Sequence, residues 1–483
     1  MDIKPVLNMV GTLAVFLGLL MLIPMSISVC SRQGDAWSFF LGAAVAVGLG
    51  LLIKRGSHTS KEPGIKESFA IVTLGWVIAA ALGALPFVIS GACPTYSDAF
   101  FEAMSGLTTT GATVIGNIEA QPNGILFWRS FLHWLGGMGI IVLFIAVLPG
   151  AGIGGSRLFK AEVPGPLPER IVPRIKETAK TLWLIYVGFT VVETVLLCLG
   201  GMGFFDSVNH AFATMATGGF STKAASVGAW TSPGIHWIIA VFMLLAGVNF
   251  TLYFRALSGR SLRVFFHDAE FKFYVSLIIT ATVLVTLNLF VSGNFRSLAE
   301  AFRHSAFQVV SIITTTGFTT VDFDMWPSFS KAILMTLMFI GGCAGSTAGA
   351  IKVGRILVLL KHGYKEIFQF IYPRAVTLPK INGSPVPHGM QNTICAFFFL
   401  YIFTFIGAAI IMTGFGLDLV SACSAVAATL GNVGPGLVVV GPTLTYQPIP
   451  ALGKWVLSAC MLLGRLELFT VLVLFIPDFW RRG

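Results

Sequence analysis

The chain has 483 residues, of which 55% are hydrophobic and only 11% charged, with a formal net charge of +10. A soluble domain carries roughly 25% charged residues, so a water-soluble fold is excluded and a polytopic membrane protein is indicated. The excess of base does not point to nucleic acid, because the basic stretches lack interleaved aromatics and any RNA-binding signature.

Stretches of ~20 apolar residues, enough to cross the hydrocarbon core as a helix, predict about ten spanning helices. They begin near Leu7, Trp37, Phe69, Gly124, Thr181, Pro233, Phe271, Lys331, Thr393 and Ala451. The short alternating segments of a transmembrane barrel are not seen. The first stretch is read as a retained helix: its apolar run exceeds the ~7–15 residues of a signal peptide, and no small-residue cleavage site follows "IPMSISVCSRQGD". Seven cysteines (Cys30, Cys93, Cys198, Cys343, Cys395, Cys423, Cys460) form no CxxC pair and mostly lie in apolar segments. They are expected to be small buried hydrophobes.

Lys and Arg cluster in alternate loops: "LLIKRGSHTSKEPGIKESF", Arg157 to Lys180, Arg255 to Lys272, Lys352 to Lys380, and the final "WRRG". No Lys or Arg lies between Lys66 and Arg129, or between Lys380 and Lys454. Cytoplasmic loops carry the positive excess, so both termini are expected inside.

Each base-poor loop contains one small polar stretch. They read "TTGA" from Thr109, "TGGF" from Thr217, "TTGF" from Thr315 and "TLGN" from Thr429. With Gly111, Gly219, Gly317 and Gly431 in register, the thirteenth residue upstream is Asp98, Asp206, His304 and Asp418. Between them lie helix-compatible stretches such as "DAFFEAMSGL". Each unit therefore reads as spanning helix, Asp-capped short helix, Thr-x-Gly, spanning helix. Ten helical residues run about 15 Å, half the core thickness, so the short helix enters from outside and stops mid-membrane. Irregular backbone at that depth is tolerated only where it is buried in protein or lines a cavity. Four such segments ring one axis, and their carbonyls replace a cation's hydration shell. The short helices aim the negative ends of their dipoles at the same point.

The predicted fold is thus an all-α polytopic membrane protein. Four tandem helix–pore-helix–filter–helix repeats sit pseudo-fourfold around one pore, after two N-terminal transmembrane helices. The expected divisions are 1–66 for the N-terminal pair, then repeats at 67–160, 161–265, 266–380 and 381–483. The expected cation-binding residues are Thr109, Thr110, Gly111, Thr217, Gly218, Gly219, Thr315, Thr316, Gly317, Thr429, Leu430 and Gly431.

With "FLHWLGGMGI" from Phe131, "GGCAGSTAGAIKVGR" from Gly341, "YPRAVTLPKING" from Tyr372 and "GRLELFT" from Gly464, the four segments make the chain resemble the TrkH/TrkG/KtrB superfamily of potassium-translocating proteins. The resemblance covers nearly the whole chain, and the two extra N-terminal helices place it nearer TrkH than the shorter KtrB. It implies a homodimer in the bacterial inner membrane that moves potassium, and rubidium with it. It also implies a cytosolic nucleotide-binding regulatory partner, TrkA, on the inner face, and no organic cofactor. The fourth segment, "TLGNVGPG", departs from the pattern at Leu430 and Asn432.

"FIGGCAGSTAGAIK" interrupts the second helix of the third repeat with poor helix formers. The residues alone allow either a small-residue helix crossing or a loop inside the membrane. The resemblance implies a gating loop, with Gly345, Ser346 and Thr347 occluding the path. Lys352 closes the loop, either as an anchor that snorkels to the interface or as part of the gate. Arg465 lies in the apolar "LSACMLLGRLELFTVLVLF". It is expected to be a positive barrier below the filter, the alternative being an ion pair with a carboxylate such as Glu467. Glu193 and His133 are read as packing or helix-linking groups. Asp98, Asp206 and Asp418 are read as caps first and cation attractors second.

No HExxH, G-x-S-x-G or P-loop is present, so an enzyme is not expected. The rival class is a secondary transporter, usually built from inverted or two-fold repeats. A proton- or sodium-coupled potassium symporter on the same scaffold is the alternative function.

Overall fold

The computed structural model describes residues 1–57, 59, 63–139, 175–373 and 378–481. The expected division at 160/161 and most of the Arg157–Lys180 cluster lie outside the described residues. So do parts of "HTSKEP", "PRAVTLPK" and "WRRG".

The chain begins with α1 (Ile3–Leu20) and α2 (Leu22–Ser31), which together are 29 residues long, then α3 (Ala36–Gly56). The first short helix, α6 (Tyr96–Leu107), follows α4 (Ile65–Gly83) and α5 (Leu85–Ile89) and precedes α7 (Asn123–Gly137). The same order recurs in α8 (Ile175–Leu199), short α9 (Phe204–Met215), α10 (Pro233–Ala246) and α11 (Phe250–Gly259). After the small α12 (Arg263–His267) it recurs again in α13 (Ala269–Val291), short α14 (Leu298–Ile313), α15 (Ser328–Leu337) and α16 (Val353–Ile371). A hairpin of β1 (Lys380–Ile381) and β2 (Ser384–Pro385) leads to α17 (His388–Gly414). The last unit adds short α18 (Leu419–Leu430), α19 (Ala451–Arg465), α20 (Phe469–Leu472) and α21 (Pro477–Trp480).

Six helices among the described residues are long and apolar enough to cross a membrane. They begin at Ile3, Ala36, Ile65, Lys180, Ala269 and His388, near six of the ten expected starts. Two more expected spans are bent pairs, by 90° between α10 and α11 and by 112° after α19. The remaining two are α7, described to Gly137, and α15, which stops after ten residues. The chain is a multi-pass membrane protein whose lipid-facing side chains, such as Leu199, Val291 and Phe399, are exposed.

The core lies instead around the short helices. Ten of the twelve residues of α6 are buried, including Glu102, Ser105 and Asp98. Polar residues buried in a membrane protein mark an interior that does work other than packing. In each unit the short helix packs against its flanking long helices, which holds its C-terminal end at the centre of the assembly.

Candidate functional site

The four short helices end in the same way. Their C-caps are Thr108, Ala216, Thr314 and Gly431. The next residue in each is left-handed: Thr109 (φ 53°), Thr217 (φ 53°), Thr315 (φ 56°) and Asn432 (φ 53°). The residue after that donates to the carbonyl five positions back: Thr110 to Ser105 (2.9 Å), Gly218 to Ala213 (2.8 Å), Thr316 to Ser311 (2.8 Å) and Val433 to Ala428 (2.7 Å). This is the Schellman closure of a helix, which satisfies carbonyls that have no intrahelical partner. A left-handed non-glycine residue costs roughly 1–2 kcal/mol. The same cost is met in all four segments.

The third residue in each segment is a glycine at positive φ: Gly111 (81°), Gly219 (80°), Gly317 (82°) and Gly434 (99°). A Cβ on Gly111 would lie 2.1 Å from the Gly218 carbonyl oxygen, and one on Gly219 2.0 Å from that of Thr316. On Gly317 it would lie 2.1 Å from the Val433 oxygen, and on Gly434 2.5 Å from that of Thr110. Each glycine thus packs on the middle carbonyl of the next segment, and the fourth closes on the first. The four segments form a ring with no space for a side chain at any joint.

The register of the fourth segment differs from the sequence reading by three residues. Thr429 and Leu430 are the last turn of α18 and Gly431 is its cap, so the equivalents of Thr109–Thr110–Gly111 are Asn432–Val433–Gly434. The Asp offset misled. Asp418 is the N-cap of α18, sixteen positions before Gly434. Thr95 and Gly203, sixteen before Gly111 and Gly219, are the caps of α6 and α9, whereas Asp98 and Asp206 are third residues of their helices. In the third unit Ser297 caps a helix one turn longer, and His304 is internal to it. Asp98 pairs with Lys454 at 2.6 Å, and Asp206 accepts from the Thr222 hydroxyl at 2.6 Å. At the exposed Asp418, hydrogen bonds from the Ser421 hydroxyl and amide hold the carboxyl below the usual carboxylate range.

Behind the ring, the His133 Nδ1 donates to the Gly106 carbonyl (2.7 Å), so Nε2 accepts from the Phe220 amide (3.2 Å). His133 therefore links the first unit to the second, as a helix-linking group should.

Directly beneath lies the loop between α15 and α16. Its neck is closed by Gly341 donating to Ile351 (2.9 Å), Ile351 to Phe339 (3.2 Å) and Val353 to Gly342 (3.1 Å). At the tip, Gly345 has φ 73° and its carbonyl accepts from the Phe250 amide (3.0 Å). The Ser346 hydroxyl turns back to the Cys343 carbonyl (2.6 Å). The buried Thr347 hydroxyl reaches the carbonyls of Met215 (3.1 Å) and Ala246 (3.3 Å). The Gly349 amide donates to the Thr315 hydroxyl (2.7 Å), and a Cβ there would lie 2.6 Å from the Gly431 oxygen. The loop therefore touches ring-forming parts of the second, third and fourth units.

Arg465 ties in the first. Its Nη1 donates to the Thr347 carbonyl (2.7 Å) and the Thr109 hydroxyl (3.2 Å). Its Nη2 donates to the carbonyls of Gly136 (2.6 Å) and Gly137 (2.8 Å). Glu467 pairs with Arg355 rather than with Arg465. Lys352 is buried and donates to the Ala348 carbonyl instead of snorkelling to an interface. Glu193 is fully buried in α8.

Three groups here were not anticipated. Glu270, at the start of α13, accepts from the amides of Ala344 (2.6 Å) and Gly354 (2.9 Å), one on each side of the loop. An acid one residue into a span has no sequence signal beyond its position. Arg129 and Glu102 form a buried ion pair at 2.8 Å. An arginine and a glutamate inside otherwise apolar helices are the signal that the sequence offers for this pair.

A family model described as TrkH, cation transport protein, matches residues 38–482. The chain is 44% identical over 485 residues to the Trk system potassium uptake protein TrkH of Escherichia coli (strain K12), covering 100% of both. It is 33% identical to the Trk system potassium uptake protein TrkG of the same strain, over 99% of each. Among solved structures it is similar to the potassium transporter TrkH from Vibrio parahaemolyticus, with a TM-score of 0.90, 40% identity and 100% of each chain covered.

Proposed function

We propose that this chain, which belongs to the TrkH family of cation transport proteins, takes up potassium across the bacterial inner membrane through a gated pore. The observation that carries this reading is the closed ring. Four segments, each with a left-handed residue and a glycine two positions on, meet joint to joint at the C-terminal ends of four short helices. Backbone carbonyls gathered on one axis replace a cation's hydration, and the helix ends add negative potential. The filter comprises Thr109–Gly111, Thr217–Gly219, Thr315–Gly317 and Asn432–Gly434, the last in the register that replaces Thr429–Gly431.

The loop carrying Gly345, Ser346 and Thr347 is the gate, held shut beneath the filter by Arg465, whose charge also opposes cation passage. Its straightening opens the path. Both termini lie in the cytoplasm, by the distribution of Lys and Arg. A nucleotide-binding regulatory partner acts on that face, the protein works as a homodimer, and the repeats divide at 67, 161, 266 and 381.

Uptake into liposomes containing the purified chain, comparing rubidium with sodium and testing a proton gradient, checks the reading. Uptake that favours rubidium and ignores the proton gradient is expected. Uptake that needs a proton or sodium gradient overturns the channel-like reading and favours a coupled symporter on the same scaffold.

A further inference from the structure

The four ring segments are alike in backbone and unlike in what stands behind them. Nine positions before the ring glycines are Glu102, His210, Gln308 and Ala425. Glu102 Oε2 accepts from the Val114 amide (2.9 Å), and its carboxylate also receives the Thr113 hydroxyl, so it holds the irregular backbone leaving the first segment. His210 Nε2 meets the Ser221 hydroxyl (3.0 Å) in the second. Among the described residues neither amide atom of Gln308 has a hydrogen-bond partner, although the side chain is fully buried. The Ala425 side chain has no polar atom.

Arg129 adds a connection between units. Its Nε bonds Glu102 Oε1 (2.8 Å), its Nη2 the Thr113 hydroxyl (3.2 Å), and its Nη1 the Ser221 carbonyl (3.1 Å), two positions past Gly219. The guanidinium also lies 4.2 Å over the ring of Phe220. One planar fork thus spans the exits of the first and second segments. Arg129 and Glu102 are 1% and 0% exposed. A buried ion pair returns little net stability against its desolvation cost, and apolar replacements are often neutral or better. What the rigid fork does supply is fixed geometry.

We propose that the Glu102–Arg129 pair is a positioning pair that sets the pore's cation preference by fixing the spacing of the first two ring segments. The inference rests on the reading of the ring as the ion filter. A carbonyl site discriminates potassium from sodium through its size and through the number and field of its carbonyls, so a brace on one side of the ring bears on selectivity. Among the described residues, the third and fourth segments have no charged counterpart at the equivalent position.

The test is the rubidium-to-sodium uptake ratio of the full chain in liposomes. Glu102→Gln and Arg129→Lys are each expected to lower the ratio by about tenfold, because Lys keeps the charge but loses the planar fork. The double variant Glu102→Leu with Arg129→Met covers the case in which a lone buried charge prevents folding, and it is expected to lower the ratio as well. Gln308→Ala is expected to leave the ratio unaltered. An unchanged ratio in the folded pair variants overturns the proposal, and so does an equal fall in Gln308→Ala. Failure of the underlying filter reading is distinguishable: Gly317→Ala would then also transport with an unchanged ratio.

Discussion

The ring and the loop beneath it are within hydrogen-bonding distance, and they are held by opposite means. Each ring segment is fixed first by its own helix, through backbone bonds that reach three and five residues back. Four nearly identical copies of a local motif then meet through glycines. The loop's local support among the described residues is its neck bonds, the Ser346 turn and the bond from Lys352 to the Ala348 carbonyl. Its other partners come from far along the chain: Met215, Ala246, Thr315, Glu270 and Arg465. Backbone motifs that satisfy themselves locally stay put when neighbours move. A loop held by distant side chains is released when one of the helices carrying them shifts, as elements of low local stability are. That contrast is what the proposed arrangement, a permanent filter over a removable gate, requires.

The largest expected effect comes from breaking the ring. Gly317→Ala places a methyl 2.1 Å from the Val433 oxygen at a residue with φ 82°. Rubidium uptake by liposomes should fall about a hundredfold or more, since the joint must open or the backbone must leave a conformation that glycine alone adopts readily. Retained uptake at wild-type rate would show that the ring is not the path.

Breaking the loop's tether should act in the other direction. Arg465→Ala removes four hydrogen bonds from a charged donor, each worth about 1.5–3 kcal/mol. Only the share lost on opening counts, so uptake without a regulatory partner should rise on the order of tenfold, a change of about 1.4 kcal/mol. A fall in uptake would assign Arg465 to construction of the pore rather than to closing it.

Glu270→Gln is a milder cut at the loop's two ends. The amide oxygen still accepts from Ala344 and Gly354, but without charge, and a rise in basal uptake of about fivefold is expected from losing about 1 kcal/mol. No change would mean that the loop does not separate from α13 when the pore opens. The smallest effect belongs to Asp418→Ala, which removes an N-cap from α18 without touching ring or loop. It should cost about 1 kcal/mol of stability, seen as a lower Tm, with the rubidium-to-sodium ratio intact.

Much of the ring was legible because its signal is local and repeated. Thr-x-Gly at the end of a short amphipathic helix needs no partner to be recognised, and three of the four expected segments have the backbone that forms the ring. The fourth failed for a definable reason. "TLGNVGPG" contains Gly431 and Gly434, and only the helix cap and the sign of φ separate them. The interruption near Gly345 was legible from its glycines, and the depth of Arg465 from its apolar surroundings. The bends after Ala246 and Arg465 were not, because a helix that breaks against a neighbour looks unbroken in its own composition.

The sequence by itself determined the membrane class, the starts of most of the apolar helices and the ends of three of the four short helices. Each of these depends on hydrophobicity or backbone preference within a few residues. Only the tertiary structure decided which carbonyl each glycine faces, that Arg465 reaches Thr347 and Gly136 together, and that Glu102, Arg129 and Glu270 have partners at all. Those pairings join residues up to 356 positions apart, as in Arg465 with Thr109. No local preference encodes such a contact; burying a charge in a membrane protein is costly, and for Arg465, Arg129 and Glu270 it is the assembled fold that supplies the partners.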